Sequence, residues 1–108
     1  MSGRKKSVIS KASPHTIKKF ELIEEYIKSW AQKLLLTESC NGLIFIDCMC
    51  NSGVYTDDAG QLVKGTAVRV SEALREASRT YTEKNIHIYL NDKDKARVDE
   101  LKKHLPQD

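Results

Sequence analysis

The stretch LIFIDCMCNSG, residues 43–53, is an apolar run that ends in an acid and continues into small residues. This pattern predicts a buried strand that stops at Asp47 and a tight turn that reaches Gly53. A second apolar run, Ile86–Leu90, leads into Asn91-Asp92-Lys93-Asp94. Parallel strands of a doubly wound α/β sheet end at one edge, and ligands bind there. We therefore predict that Asp47 and Asp92 lie at the carboxyl edge of one sheet.

The turn after the first strand contains a single glycine, Gly53, and lacks the G-x-G-x-x-G pattern that lets backbone amides touch a pyrophosphate. An acid at the strand end favours a ligand without phosphates, such as S-adenosylmethionine, whose amino and sulfonium groups are positive. The alternative is that Asp47 only caps the turn that follows it. The second acid, Asp92, favours the ligand site.

The composition is that of one small globular domain, with 108 residues, 40% hydrophobic and 31% charged. Its apolar runs are shorter than the roughly 20 residues that a membrane span needs, and its start lacks the apolar core of a signal peptide. We therefore expect a cytoplasmic protein without a membrane segment.

Positive charge is concentrated at the front of the chain. The first 20 residues carry six basic side chains and no acid, whereas the rest of the chain sums to −3. A basic segment without apolar periodicity is typical of a solvated terminus, so we predict a flexible leader over residues 1–12 and a domain over 13–108. The alternative is a nucleic-acid contact.

Three cysteines are present, Cys40, Cys48 and Cys50. Cys48 and Cys50 would share one side of an extended segment, but the chain has no matching Cys or His pair, so we predict no metal site. Packing of small side chains near a strand end is favoured over a redox role.

Helical periodicity surrounds both strands. Ser13 and Pro14 predict a helix start, and apolar residues then recur every three or four positions to about Leu36, with Tyr26 and Trp30 expected in the core. A longer loop with a turn at residues 57–60 would precede a second helix from Gly65-Thr66 to about Tyr81, and Asp94 would cap a third. The predicted order is α-β-α-β-α, a Rossmann-like βαβ unit with parallel strands.

Two parallel strands rarely form a complete sheet, because such sheets are buried on both faces and open strand edges invite pairing. We therefore expect this chain to be the first part of a larger doubly wound sheet, or to pair with another chain as an oligomer.

Four blocks of the sequence resemble the amino-terminal part of the three-Cys-motif partner proteins, a bacterial family similar to Rossmann-type methyltransferases. That family's pattern runs HTxxKxxLLxxYLxxW, a strand ending D-x-F-A-G-x-G-x-Y, G-S-P, and a strand ending E-x-D. The similarity covers about residues 13–105. The matching residues here are His15-Thr16-Ile17-Lys18-Lys19 with Leu22, Tyr26 and Trp30, then Phe45-Ile46-Asp47 with Gly53 and Tyr55, Gly65-Thr66, and Asn91-Asp92-Lys93-Asp94.

The resemblance implies a domain that binds S-adenosylmethionine. Asp47 would lie near the methionyl amino group, the backbone of Asn51 to Gly53 would lie under the ligand, and Asp92 would accept hydrogen bonds from the ribose hydroxyls. Cys48 would also belong to the binding site. Asn51 replaces a family glycine; asparagine tolerates positive φ, so the turn can still form. The catalytic loop of such enzymes follows a later strand, so we name no catalytic residue and expect the isolated chain to be inactive.

Three functions remain open on the sequence. The first is a methyltransferase-like domain that binds S-adenosylmethionine. The second is a non-catalytic interaction module whose scaffold or basic front binds a partner protein or nucleic acid. The third is a fold for another adenosine ligand. Tyr55 is equally open, because a loop aromatic can cover an adenine or pack on the first helix.

Overall fold

The computed structural model describes residues 8–106, which form a mixed α/β arrangement with parallel strands. In chain order its elements are β1 (Ser10–Lys11), α1 (Pro14–Leu36), β2 (Gly42–Asp47), β3 (Val54–Thr56), β4 (Leu62–Lys64), α2 (Thr66–Thr80), β5 (Asn85–Leu90) and α3 (Lys95–Lys102). The two longer strands and the first two helices were predicted close to these bounds, whereas α3, which was predicted to continue until Pro106, ends at Lys102.

The long helix α1 begins where the sequence predicts. The Ser13 hydroxyl accepts a hydrogen bond from the Thr16 N–H at 3.2 Å, and Pro14 occupies the first turn, where its missing N–H costs nothing. One stripe of α1 is buried, consisting of Phe20, Ile27, Ala31 and Leu35. This stripe packs on α2 and on the sheet.

Strands β2 and β5 pair in parallel over six residues, from Gly42 opposite Asn85 to Asp47 opposite Leu90. One face of this sheet contributes to the main core, in which α1 and α2 cover it; the core members include Leu35, Leu43, Val70 and Leu74, with Phe45, Ile86 and Ile88 packed against them. Alternate residues point to the other face, which we call the uncovered face: Ile44, Ile46, His87 and Tyr89 are all exposed.

The expectation of a long loop between the first strand and the second helix was wrong. Residues 54–64 form a β-hairpin, in which β3 and β4 pair in antiparallel fashion. The predicted turn is present, because the Asp57 carboxylate accepts hydrogen bonds from the Ala59 and Gln61 N–H groups and Gly60 has a φ of 79°. Strands of three residues carry too short an alternation to be recognised in the sequence.

The predicted flexible leader must also be revised at its end. Residues 1–7 lie outside the described residues, but Ser10–Lys11 form β1 and pair in parallel with β3. Ala12 is buried, and its N–H donates to the Thr56 carbonyl at 2.8 Å. The order α-β-α-β-α therefore gains three short strands, β1, β3 and β4, which form a separate small sheet.

A second, smaller core lies where α3 meets the start of α2. Leu101 is the only buried residue of α3, and it packs with Cys50, Ala67 and Val68. The Asp94 carboxylate caps α3 by accepting from the Ala96 N–H at 3.0 Å, as predicted. Among residues 8–106, no helix has the length and apolar character that crossing a membrane requires.

Candidate functional site

The carboxyl ends of β2 and β5 bring the two predicted acids to the same edge. Asp47 is the last residue of β2, and Asp92 follows β5 by two positions. The strands remain joined past their ends, because the Asn91 N–H donates to the Asp47 carbonyl at 2.8 Å and the Cys50 N–H donates to the Asn91 carbonyl at 2.9 Å. The loops that follow β2 and β5 are therefore connected by backbone hydrogen bonds at this edge.

The Asp92 carboxylate connects the two loops of this edge. One oxygen accepts a hydrogen bond from the Asn51 N–H at 2.9 Å, and the other accepts from the Asp94 N–H at 3.0 Å. The backbone hydrogen bonds from Asp94 and then Asn51 hold the pKa of Asp92 below its ordinary value. Each carboxylate oxygen has two acceptor positions, so each can accept a further hydrogen bond from a ligand hydroxyl.

Asp47 plays the capping role that the sequence left open as an alternative. Its Oδ1 accepts a hydrogen bond from the Met49 N–H at 3.0 Å, which starts the turn after β2. The side chain is half-buried, and Cys48 and Met49 beside it are exposed. Capping keeps the carboxylate charge at the strand end, where it can still face a cationic ligand.

The turn from Asn51 to Gly53 has the backbone form that the sequence allowed. Asn51 has a φ of 57° and Gly53 a φ of 83°. A Cβ on Gly53 would lie 2.4 Å from Leu101 Cδ1 and 2.8 Å from Val68 Cγ2. The requirement for glycine here comes from packing against α2 and α3, because Gly53 is buried among the chain's own side chains.

The two neighbouring cysteines occupy different environments, because the strand ends at Asp47 and the chain bends at Cys48. Cys48 is exposed, whereas Cys50 is buried. Burial raises the pKa of the Cys50 thiol, and the nearby negative charges of Asp47 and Asp92 raise it further. Cys50 is therefore a protonated packing residue at neutral pH, which matches the structural interpretation of this cysteine.

Tyr55 packs on the first helix, so the structure decides between its two predicted roles. Its ring centroid lies 4.9 Å from that of Phe20, in a tilted arrangement. Burial raises the pKa of the Tyr55 hydroxyl, and a hydrogen bond with the Asn51 side chain opposes this effect. Tyr55 thereby connects the turn to α1, through its hydrogen bond with Asn51 and its contact with Phe20.

Three contributors to the edge were missed by the sequence. Asn91 joins the loops through its backbone, Leu101 covers Gly53, and the Gly65 N–H donates to the Gly53 carbonyl at 2.7 Å. The sequence signal for Gly65 is the glycine itself at the start of the second helix, and the structure gives the reason for it, because a Cβ there would collide with the Tyr55 ring. Asn91 acts through its backbone N–H and carbonyl, so its side-chain type gives no sequence signal for this role.

Comparison of the chain with models of protein families, with curated proteins and with solved structures finds no match. The region from residue 8 to residue 106 also holds no group of three or more His, Cys, Asp or Glu side chains placed to share a metal ion. The function is therefore argued from the geometry of the sheet edge.

Proposed function

We propose that this chain is the amino-terminal part of a cytoplasmic, methyltransferase-like domain that binds S-adenosylmethionine, of the kind found in the three-Cys-motif partner family. One observation carries the proposal. Two parallel strands place an acid each at one edge, and the Asn51 N–H joins the first loop to the Asp92 carboxylate at 2.9 Å. Ligands of parallel α/β sheets bind at such an edge.

The roles of the residues follow from the contacts of the edge. Asp47, whose charge remains at the strand end, would face the amino and sulfonium groups, and Cys48 would border them. The remaining acceptor positions of Asp92 suit two adjacent ribose hydroxyls. The bound ligand would supply the methyl group, and no residue here is assigned to the methyl acceptor.

The proposal that a larger Rossmann-like sheet surrounds this unit is supported by the two-stranded sheet itself. Among the described residues, β2 and β5 pair only with each other, and their uncovered face carries Ile44, Ile46 and Tyr89, which are 56%, 63% and 57% exposed. Parallel sheets are normally covered on both faces. Further strands of a doubly wound sheet would extend its edges, and further helices would cover this face.

Calorimetric titration of the full chain with S-adenosylmethionine and S-adenosylhomocysteine tests the proposal. The decisive variant is Asp47→Asn, because its amide oxygen can still accept from the Met49 N–H while the negative charge is lost. We expect saturable binding of both ligands and about tenfold weaker binding of S-adenosylmethionine by Asp47→Asn, since charged hydrogen bonds are roughly twice as strong as neutral ones.

Asp94→Ala is the matched control. It removes the α3 cap at a cost of about 1 kcal/mol of stability, yet retains the backbone N–H that Asp92 accepts. Its affinity should equal that of the wild type. Absence of binding by the wild-type chain, or an equal loss in Asp94→Ala and Asp47→Asn, would contradict the assignment of the site.

A second candidate function, a non-catalytic interaction module, is favoured by the same uncovered face. In this case the side chains of the uncovered face would contact another polypeptide chain instead of further helices of the same domain; these are Ile44, Ile46, His87 and Tyr89. Sedimentation at several concentrations distinguishes the two. Reversible association without any affinity for S-adenosylmethionine would favour the module, and ligand binding by a monomer would favour the methyltransferase-like domain.

A further inference from the structure

One side of α1, which we call the outer face, lies opposite the buried stripe of this helix. Its six members recur at spacings of about one or two helical turns, and all of them are exposed. They are His15, Lys18, Lys19, Leu22, Tyr26 and Lys33. Since the buried stripe packs on α2 and on the sheet, the elements within residues 8–106 leave the outer face open to a partner.

The charge of the outer face is positive and largely uncompensated. None of its six members is an acid. The three acids of α1 each form an ion pair of 2.9–3.8 Å with a basic side chain; the pairs are Glu21–Lys18, Glu24–Arg69 and Glu25–Lys28. Lys19 and Lys33 have no ion pair with any residue from 8 to 106. Their charge can therefore be matched by an anionic partner.

Two large apolar side chains lie between these lysines on the outer face. Leu22 is 60% exposed and Tyr26 is 69% exposed. An exposed aromatic ring among cations is the arrangement that binds single-stranded nucleic acid, because a base stacks on the ring and phosphates contact the cations. The helix rises about 21 Å from Lys19 to Lys33, which corresponds to about six stacked nucleotides.

Two other anionic partners fit this face less well. A membrane-surface helix inserts an apolar face into the lipid, and the apolar face of α1 is already buried in the core. An acidic polypeptide matches the lysines but offers no base to stack on Tyr26. The six basic side chains within the first 20 residues, where no acid occurs, add to the attraction of a phosphate backbone.

We propose that the outer face of α1 binds single-stranded nucleic acid, with a base stacked on Tyr26 and phosphates at Lys19 and Lys33. No residue of α1 belongs to the sheet edge at residues 47–53 and 91–94. The proposal is therefore independent of the proposed function, and either can fail without the other.

Fluorescence anisotropy of labelled oligothymidylate and oligouridylate of about ten nucleotides, titrated with the full chain, tests the site. We expect saturable binding of both, with half-saturation below about 100 μM at low salt, since both strands present phosphates and bases. The logarithm of the binding constant should fall with the logarithm of the salt concentration, with a slope at least as steep as about −1.4 for two phosphate contacts.

Variants separate the stacking from the phosphate contacts. Tyr26→Ala should weaken binding about tenfold without changing the salt slope, and Tyr26→Phe should keep the wild-type affinity because the ring remains. Lys19→Gln and Lys33→Gln should each make the slope shallower by about 0.7. The matched controls are Tyr89→Ala, on the uncovered face, and Lys102→Gln, at an exposed position of α3, and both should retain wild-type binding.

Three results would overturn the proposal. The first is the absence of saturable binding of either oligonucleotide by the wild-type chain. The second is equal weakening by Tyr89→Ala and Tyr26→Ala, or by Lys102→Gln and Lys19→Gln, which would place the nucleic acid on another surface. The third is equal displacement of the oligonucleotide by a glutamate peptide or by phosphatidylserine vesicles of matched charge, which would assign the face to an acidic protein or to a membrane.

Discussion

The two faces of the β2–β5 sheet come from the same twelve residues and have opposite environments. On the covered face, Leu43 is 6% exposed and packs with Leu35, Val70 and Leu74 of the two long helices. On the uncovered face, Ile44 and Ile46 of the same strand are more than half exposed. Apolar character in this sheet therefore does not by itself indicate burial.

The difference shows which face stabilises the described unit and which is available for contact. Burial of apolar surface stabilises by roughly 25 cal/mol per Å², and only the covered face gains this contribution within residues 8–106. The uncovered face keeps strand-forming residues without that gain, which is the pattern of a surface that serves a further layer or a partner.

The largest difference in stability is expected between a substitution under the covered face and one on the uncovered face. Leu74→Ala empties a fully buried position of α2 and should lower the free energy of unfolding by about 3 kcal/mol. Ile46→Thr keeps a β-branched residue on the uncovered face and should change the free energy of unfolding by about 0.5 kcal/mol or less. Urea denaturation measures both, and similar losses in the two variants would mean that the uncovered face is packed in solution.

Two glycines with nearly equal backbone angles extend the comparison to the turns. Gly53 has a φ of 83° and lies against Leu101 and Val68, whereas Gly60 has a φ of 79° with no neighbour within 4 Å of an added Cβ. Gly60→Ala should cost about 1 kcal/mol from backbone strain alone. Gly53→Ala should cost clearly more in thermal or urea unfolding, because α3 must also move; equal costs would show that Leu101 does not cover the turn.

Acid should loosen the sheet edge before it affects the covered core. Hydrogen bonds lower the pKa of folded Asp92, so its stabilising contribution is present above the unfolded pKa, near pH 4, and is lost as the pH falls through the lower folded pKa. Asp92→Asn should therefore reduce the loss of stability between about pH 4 and pH 2.

Urea midpoints measured across this pH range check the effect. Asp58→Asn, which alters an exposed carboxylate in the hairpin turn, is the charge-matched control and should retain the wild-type profile. An unchanged acid profile in Asp92→Asn would show that the carboxylate does not hold the two loops together.

Substitutions on the uncovered face should have the smallest effect on folding and the largest effect on association. Ile44→Thr combined with Ile46→Thr should leave the unfolding free energy within about 1 kcal/mol of the wild type. If the uncovered face drives association, the double variant should remain monomeric at concentrations where the wild-type chain associates in sedimentation. Association unchanged by these substitutions would assign it to another surface.

The sequence predicted the elements with strong local signals. Ser13-Pro14, Asp94 and the apolar runs of β2 and β5 place the helices and the parallel strands, and the acids at the edge follow from that placement. Local sequence patterns do not show which apolar side chains another element covers in the folded protein. Tyr26 follows the apolar helical period and was expected in the core, but it is 69% exposed.

Other features of the site depended on contacts between distant segments. The close packing of Gly53 against Leu101 and Val68 involves residues that lie far away in the chain, so no local pattern could predict it. The strand β1 needs β3 as its partner, and neither is long enough to show a period. The Asn51–Asp92 bond spans 41 positions and has no local signal.

The measurement that tests the central claim most directly is the mapping of S-adenosylhomocysteine on the full chain by backbone amide chemical shifts. The claim is that the carboxyl edge of β2 and β5 binds the ligand. It predicts saturable shifts concentrated in residues 47–53 and 91–94, with the amides of residues 71–78 on α2 unchanged. Shifts confined to residues outside the edge, or no shifts at saturating ligand, would contradict it.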